Sequence, residues 1–99
     1  MSTTGQKLRE FRENSGLTLR KAAMKADIDV AILSKMERGE RKLTKELILK
    51  LAALYKINSD SLIVDFLSEK VIYTLEDEEF GLEALKVAEK QLKYKNKSR

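Results

Sequence analysis

The sequence contains no cysteine, no histidine, no tryptophan and no proline. Without cysteine there is no disulfide and no thiolate metal site. With histidine missing as well, zinc binding and histidine-based catalysis are excluded. No apolar run approaches the roughly 18 residues of a membrane span, and residues 1–5 have none of the features of a signal peptide. A cytoplasmic location is expected. There is no glycine-rich phosphate loop and no serine has an evident base, so an enzyme is the weakest class of function. Glu76, Asp77, Glu78 and Glu79 are consecutive, and consecutive acids on a helix do not converge on one metal ion. No cofactor, metal or small-molecule ligand is expected.

What is present points to helix. Leu, Lys, Glu and Ala dominate the 99 residues, the composition of an all-α chain with one small domain and a short appendage. The net charge of +4 is modest but unevenly placed. Residues 1–57 hold 13 Lys/Arg against 7 Asp/Glu, residues 58–83 hold only Lys70 against eight acids, and residues 84–99 hold six bases against Glu89. A basic front half suits a polyanion, and an acidic middle would repel one. Taken alone, the same charges fit ordinary solvated helix surfaces.

The stretch from Leu17 to Gly39 decides between these readings. It reads as two short helices joined by a tight turn. Thr18 caps the first helix, whose inner face carries Ala22 and Ala23. Asp27-Ile28-Asp29 makes the turn, and Asp29 caps a second helix that runs to Gly39. Helical spacing puts Leu33, Met36 and Glu37 on one face of that helix, with Val30, Ala31, Ser34, Lys35 and Arg38 opposite. Small residues on the first helix let the second approach closely, as a helix-turn-helix requires.

Leu17-Thr18, Ala23 at the packing site, Ile28 after the turn, Leu33 in the core and the terminal Met36-Glu37-Arg38-Gly39 resemble the phage-repressor/Cro (XRE) family of helix-turn-helix proteins. The resemblance covers about residues 5–67. It implies a five-helix lambda-repressor-like bundle with an additional C-terminal helix, the DNA-binding domain at residues 1–67 and the extension at 68–99. Carried over by position, it puts the double-stranded DNA base-reading residues at Val30, Ala31, Ser34 and Lys35. Val30 and Ala31 have no donor or acceptor and can only touch thymine methyls, whereas Lys35 can donate to guanine O6 and N7. Arg38, Arg41, Lys42 and Lys45 flank this helix as phosphate contacts, and Arg12 is expected to pair with Glu37.

The chain also departs from the family pattern. Leu19, Arg20 and Lys21 stand where glutamine and acids are usual, so two cations open a helix against its dipole at about 0.3–1 kcal/mol each. Phosphate contact by Arg20 and Lys21 would account for them. Asp27 replaces a usual glycine, and Leu43 a usual proline. Small members of the family include restriction–modification controllers, phage repressors and antitoxins, and the compact bundle with a short extension favours the controller. The alternative is a protein-interaction module, such as an antitoxin or accessory subunit, built on the same fold.

Outside the central stretch, Thr3 or Thr4 caps a first helix carrying Leu8 and Phe11 inward and closed by Gly16. Thr44 caps a fourth helix with Leu47, Ile48, Leu51, Ala52, Leu54 and Tyr55 in the core. Asn58 caps a fifth, with Leu62, Ile63, Phe66 and Leu67 inward, which runs to about Tyr73. A last helix is expected from near Thr74, its beginning filled by Glu76–Glu79 and its end by Lys90, Lys93 and Lys95, as the dipole favours. Gly81 would weaken its interior, and residues from Asn96 onward are expected to fray. Its stripe of Phe80, Ala84, Leu85, Ala88 and Leu92 needs burial, either over its own domain or on a second chain, and of the two a homodimer interface through Phe80, Leu85, Ala88 and Leu92 is expected.

Overall fold

A computed structural model of the protein describes residues 3–40 and 43–97. Among the described residues all regular structure is helical, in the order α1 (Thr4–Asn14), α2 (Leu19–Ala26), α3 (Val30–Glu37), α4 (Lys45–Tyr55), α5 (Asp60–Leu75) and α6 (Gly81–Lys97). No helix among these residues is long and apolar enough to cross a membrane. The chain divides into two compact units, residues 1–67 and 68–99.

Each start in the first unit is set by a short polar side chain. Thr3 accepts from the Gln6 amide while the Gln6 side chain returns to the Thr3 amide, a reciprocal capping box. Thr18, Asp29 and Thr44 cap α2, α3 and α4 in turn. Asn58 Oδ1 accepts from the Asp60 amide at 2.8 Å, while the Ser59 carbonyl accepts the first turn of α5 from Ile63. Asn58 therefore acts one residue before the backbone cap. The stops are left-handed residues: Gly16 after α1 (φ 72°), Asp27 after α2 (φ 55°) and Lys56 after α4 (φ 56°).

α1 and α2 each pack on both α3 and α4. Leu8, Leu33, Met36, Ile48, Leu51 and Leu62 are fully buried between them, with Ala22, Ala23, Tyr55 and Phe66 completing the core. Phe11, Leu47, Leu54 and Ile63 line it, partly buried. Gly5 sits where α1 crosses α3, and a Cβ there would strike the Met36 and Glu37 carbonyl oxygens. Lys7 pairs with Asp65, joining α1 to α5 within this unit. Leu67, expected inward, is half exposed.

In the second unit the expected last helix is corrected. α5 continues to Leu75, residues 76–80 form a link, and α6 begins at Gly81. The link is two tight turns, closed by Glu78 N–H to Leu75 O at 3.0 Å and Gly81 N–H to Glu78 O at 3.1 Å. Glu76–Glu79 thus precede α6, leaving Glu83 the acid of its first turn. Phe80 lies before the helix, its carbonyl accepting from Ala84. The reason is steric. A Cβ on residue 81 would come within 2.6 Å of the Leu75 carbonyl oxygen, so glycine lets the chain double back there. α6 remains helical to Lys97, through Asn96 where fraying was expected.

Candidate nucleic-acid interface

The geometry of α2 and α3 follows from three alanines. Ala22, Ala23 and Ala26 are buried on α2 and leave room for Leu33 of α3 against them. Asp27 adopts the left-handed conformation, which aspartate tolerates better than most residues, and the Ile28 amide closes the turn on the Ala23 carbonyl at 2.9 Å. Asp29 Oδ1 then accepts from Ala31 N–H at 2.8 Å and Ile32 N–H at 3.2 Å. The Asp29 carboxylate is committed to the cap.

α3 is held from beneath by a buried ion pair. Arg12 Nε donates to Glu37 Oε2 at 2.9 Å and Nη2 to Oε1 at 3.1 Å, with the two side chains 9% and 4% exposed. A third bond runs from Arg12 Nη1 to the Leu17 carbonyl at 2.9 Å. One guanidinium therefore ties α1, α3 and the entry to α2 together. The hydrogen bond to Glu37 holds the Arg12 pKa above its ordinary value against the opposing effect of burial. Tyr55 lies in the same region. Burial pushes its phenol up to about 12, with the Glu37 charge adding to the rise and Arg12 opposing it. Its hydroxyl is buried and has no hydrogen-bond partner among the described residues.

The opposite face of α3 is open. Val30, Ala31 and Lys35 are exposed, and Ser34 is half-buried. The Lys35 side chain makes no ion pair or hydrogen bond among the described residues, so its ammonium is available. Arg38 is engaged. Its Nε and Nη2 donate to Glu40 Oε2 at 3.0 and 2.8 Å, and Nη1 donates to Ser34 Oγ at 3.0 Å. Ser34, Arg38 and Glu40 thus form one exposed network at the end of α3. The sequence reading missed Glu40 as a member, although a carboxylate two residues from an arginine beside a glycine was a usable signal.

The remaining cations open helices. Arg20 and Lys21 occupy the first turn of α2, which has no acid to balance them, and Lys45 is the first residue of α4. All three are exposed. Arg41 and Lys42 lie outside the described residues.

Comparison with known proteins adds the following. The helix-turn-helix family model matches residues 8–62. The restriction–modification controller protein C.AhdI from Aeromonas hydrophila is 34% identical, with a TM-score of 0.58 over 62% of this chain and 92% of its own. The clp gene regulator ClgR from C. glutamicum is 25% identical, with a TM-score of 0.59 over 69% of this chain and 88% of its own. The SinR protein/SinI protein complex shares the fold at 20% identity, with a TM-score of 0.56 over 98% of this chain and 100% of the matched chain. No curated protein matches the sequence significantly.

Proposed function

Because the chain belongs to the XRE-type helix-turn-helix family, we propose that it is a transcriptional regulator that binds double-stranded DNA as a homodimer on a palindromic operator. The observation that carries this reading is α3, a helix with one face locked by Leu33, Met36 and the Arg12–Glu37 pair and the other open to solvent. In the major groove that open face presents Val30 and Ala31 to thymine methyls, Lys35 to a guanine edge, and Ser34 to a base or phosphate. Arg20, Lys21, Arg38, Arg41, Lys42 and Lys45 supply backbone contacts, which position the helix and carry the salt dependence.

Direct readout from such a face is thin, and two copies would double it. On a palindrome the half-sites lie one helical turn, about 34 Å, or a multiple apart. The last helix supports a dimer, because Leu85, Ala88 and Leu92 are exposed on it, with Phe80 exposed just before it. Likeness to a restriction–modification controller at 34% identity favours that class of regulator. Selection of bound sequences from a random duplex library tests the proposal. A palindromic motif is expected, with affinity that falls linearly on a log–log salt plot. No enrichment and no salt-dependent duplex binding would overturn it in favour of a protein-interaction module.

A further inference from the structure

The second unit has an apolar surface and no core to bury it in. Between residues 70–75 of α5 and residues 84–88 of α6 runs a groove of about 300 Å³, lined by Val71, Leu75, Ala84, Leu85 and Ala88 among others. Apart from Gly81, no residue of α6 is buried, and Val87 and Leu92 extend the exposed apolar face. The charges are segregated along the length of the helix, with Lys95 on the apolar face and Lys86, Lys90, Lys93 and Lys97 on the opposite one. Glu76, Asp77, Glu78, Glu79 and Glu83 gather at the link end, and Lys86, Lys90, Lys93, Lys95 and Lys97 follow toward the other end. None of those five acids forms an ion pair among the described residues. Of the five lysines only Lys93 does, with Glu89 at 3.0 Å.

We propose that this face binds a second copy of the chain with the two α6 helices antiparallel, the acidic link of each lying against the lysine-rich end of the other. The inference rests on the homodimer reading above and adds its orientation. Charge complementarity carries it. A parallel pair would set five carboxylates against five carboxylates and five ammonium groups against five others. An antiparallel pair sets the acidic end of each helix beside the basic end of the other, and twofold symmetry gives this twice. Ala88 is the small residue at the middle of the stripe, where two helices cross most closely. Centred there, the pairing brings Ala84 opposite Leu92 and sets the acidic link of each chain at the same end as the lysine-rich end of the other. The helix of 17 residues is about 25 Å long, so its two charged ends remain distinct.

The absence of cysteine makes the orientation readable by cross-linking in the full chain. Ala84→Cys and Leu92→Cys are prepared separately, and each is oxidised alone and after mixing. The antiparallel arrangement gives a covalent dimer on mixing and little from either variant alone. A parallel arrangement cross-links each alone, and overturns the proposal. In parallel, Lys90→Glu/Lys93→Glu/Lys95→Glu/Lys97→Glu reverses the net charge without changing its size. At low salt this variant should dimerise at least about tenfold more weakly in sedimentation equilibrium, with its helical circular dichroism retained. Unchanged dimerisation of that variant would also overturn the proposal. Wild-type chain that stays monomeric at about 50 μM would instead remove the homodimer reading itself, leaving the DNA-binding reading to its own test.

Discussion

The Arg12–Glu37 pair is the interaction whose removal should be felt most. Arg12→Met leaves the Glu37 carboxylate 4% exposed without its two donors, and also strips the Leu17 carbonyl of its bond. Glu37→Leu leaves a guanidinium buried with only that carbonyl. Stranding one partner of a buried pair costs about 3–5 kcal/mol, roughly a fifth or more of the ~5–15 kcal/mol that stabilises an ordinary domain. Solvent screening rescues little of either charge, because the two side chains are only 9% and 4% exposed. The double variant removes both charges and replaces them by apolar side chains of comparable length. Its cost should fall within about 2 kcal/mol of wild type, mostly from the Leu17 carbonyl. The two losses are therefore expected to be non-additive by at least about 3 kcal/mol. Urea unfolding of all four proteins, followed by far-ultraviolet circular dichroism at neutral pH, measures the cycle. Additivity to within about 0.5 kcal/mol would refute the shared buried site.

Tyr55→Phe should stabilise the protein by roughly 1 kcal/mol, because it removes a buried hydroxyl that has no partner among the described residues; a loss of stability would show that the hydroxyl is bonded. The folded phenol pKa of about 12 lies above the ordinary 10, so its contribution is whole below pH 10 and is lost as pH rises to 12. Wild type should therefore lose up to about 2–3 kcal/mol of stability across that window in excess of Tyr55→Phe, and equal pH profiles in urea titrations would contradict this. Gly5→Ala should destabilise by about 1–3 kcal/mol, since the new methyl meets the carbonyls of α3; a gain, as expected for an unhindered helix position, would show that α1 and α3 do not approach so closely. Glu40→Gln should tighten duplex binding and steepen its salt slope by about one, because it releases Arg38; unchanged affinity would mean that Arg38 does not reach the phosphates.

Much of the fold was legible because it rests on local rules. Threonine, aspartate and asparagine mark helix starts through bonds to amides only two or three residues away. The partition of α3 into a buried and an open face follows from the helical period alone. Lys56 was not legible, since lysine has no preference for a left-handed conformation. Its backbone is held there by Ile57, whose amide closes on Ala52 at 3.0 Å and whose side chain packs on the core. The Lys7–Asp65 pair spans 58 residues, beyond any local pattern. The start of α6 was misplaced for a related reason. Four acids favour a helix N-terminus whether they lie inside its first turn or just before it. What decides is the approach of Gly81 to the Leu75 carbonyl, a contact that exists only once the chain has turned.

The open face of α3 divides in the same way. Its residues were legible by spacing, yet their states were not, because hydrogen bonds at an exposed helix end depend on which rotamers meet. Ser34 and Arg38 are four apart and therefore neighbours on the helix surface, but Glu40 joins them from beyond Gly39, whose left-handed φ of 76° turns the chain. The consequence bears on the DNA binding proposed above. Val30 and Ala31 offer no donor, and Ser34 and Arg38 are already bonded to one another. Lys35 is then the long donor on this face that can meet a base edge without first breaking a bond. Arg38 must exchange a carboxylate for a phosphate before it contributes, and that exchange is between two anions of similar appeal to a guanidinium. On the proposed reading its net contribution to affinity is accordingly small until Glu40 is neutralised, whereas that of Lys35 is available at first contact.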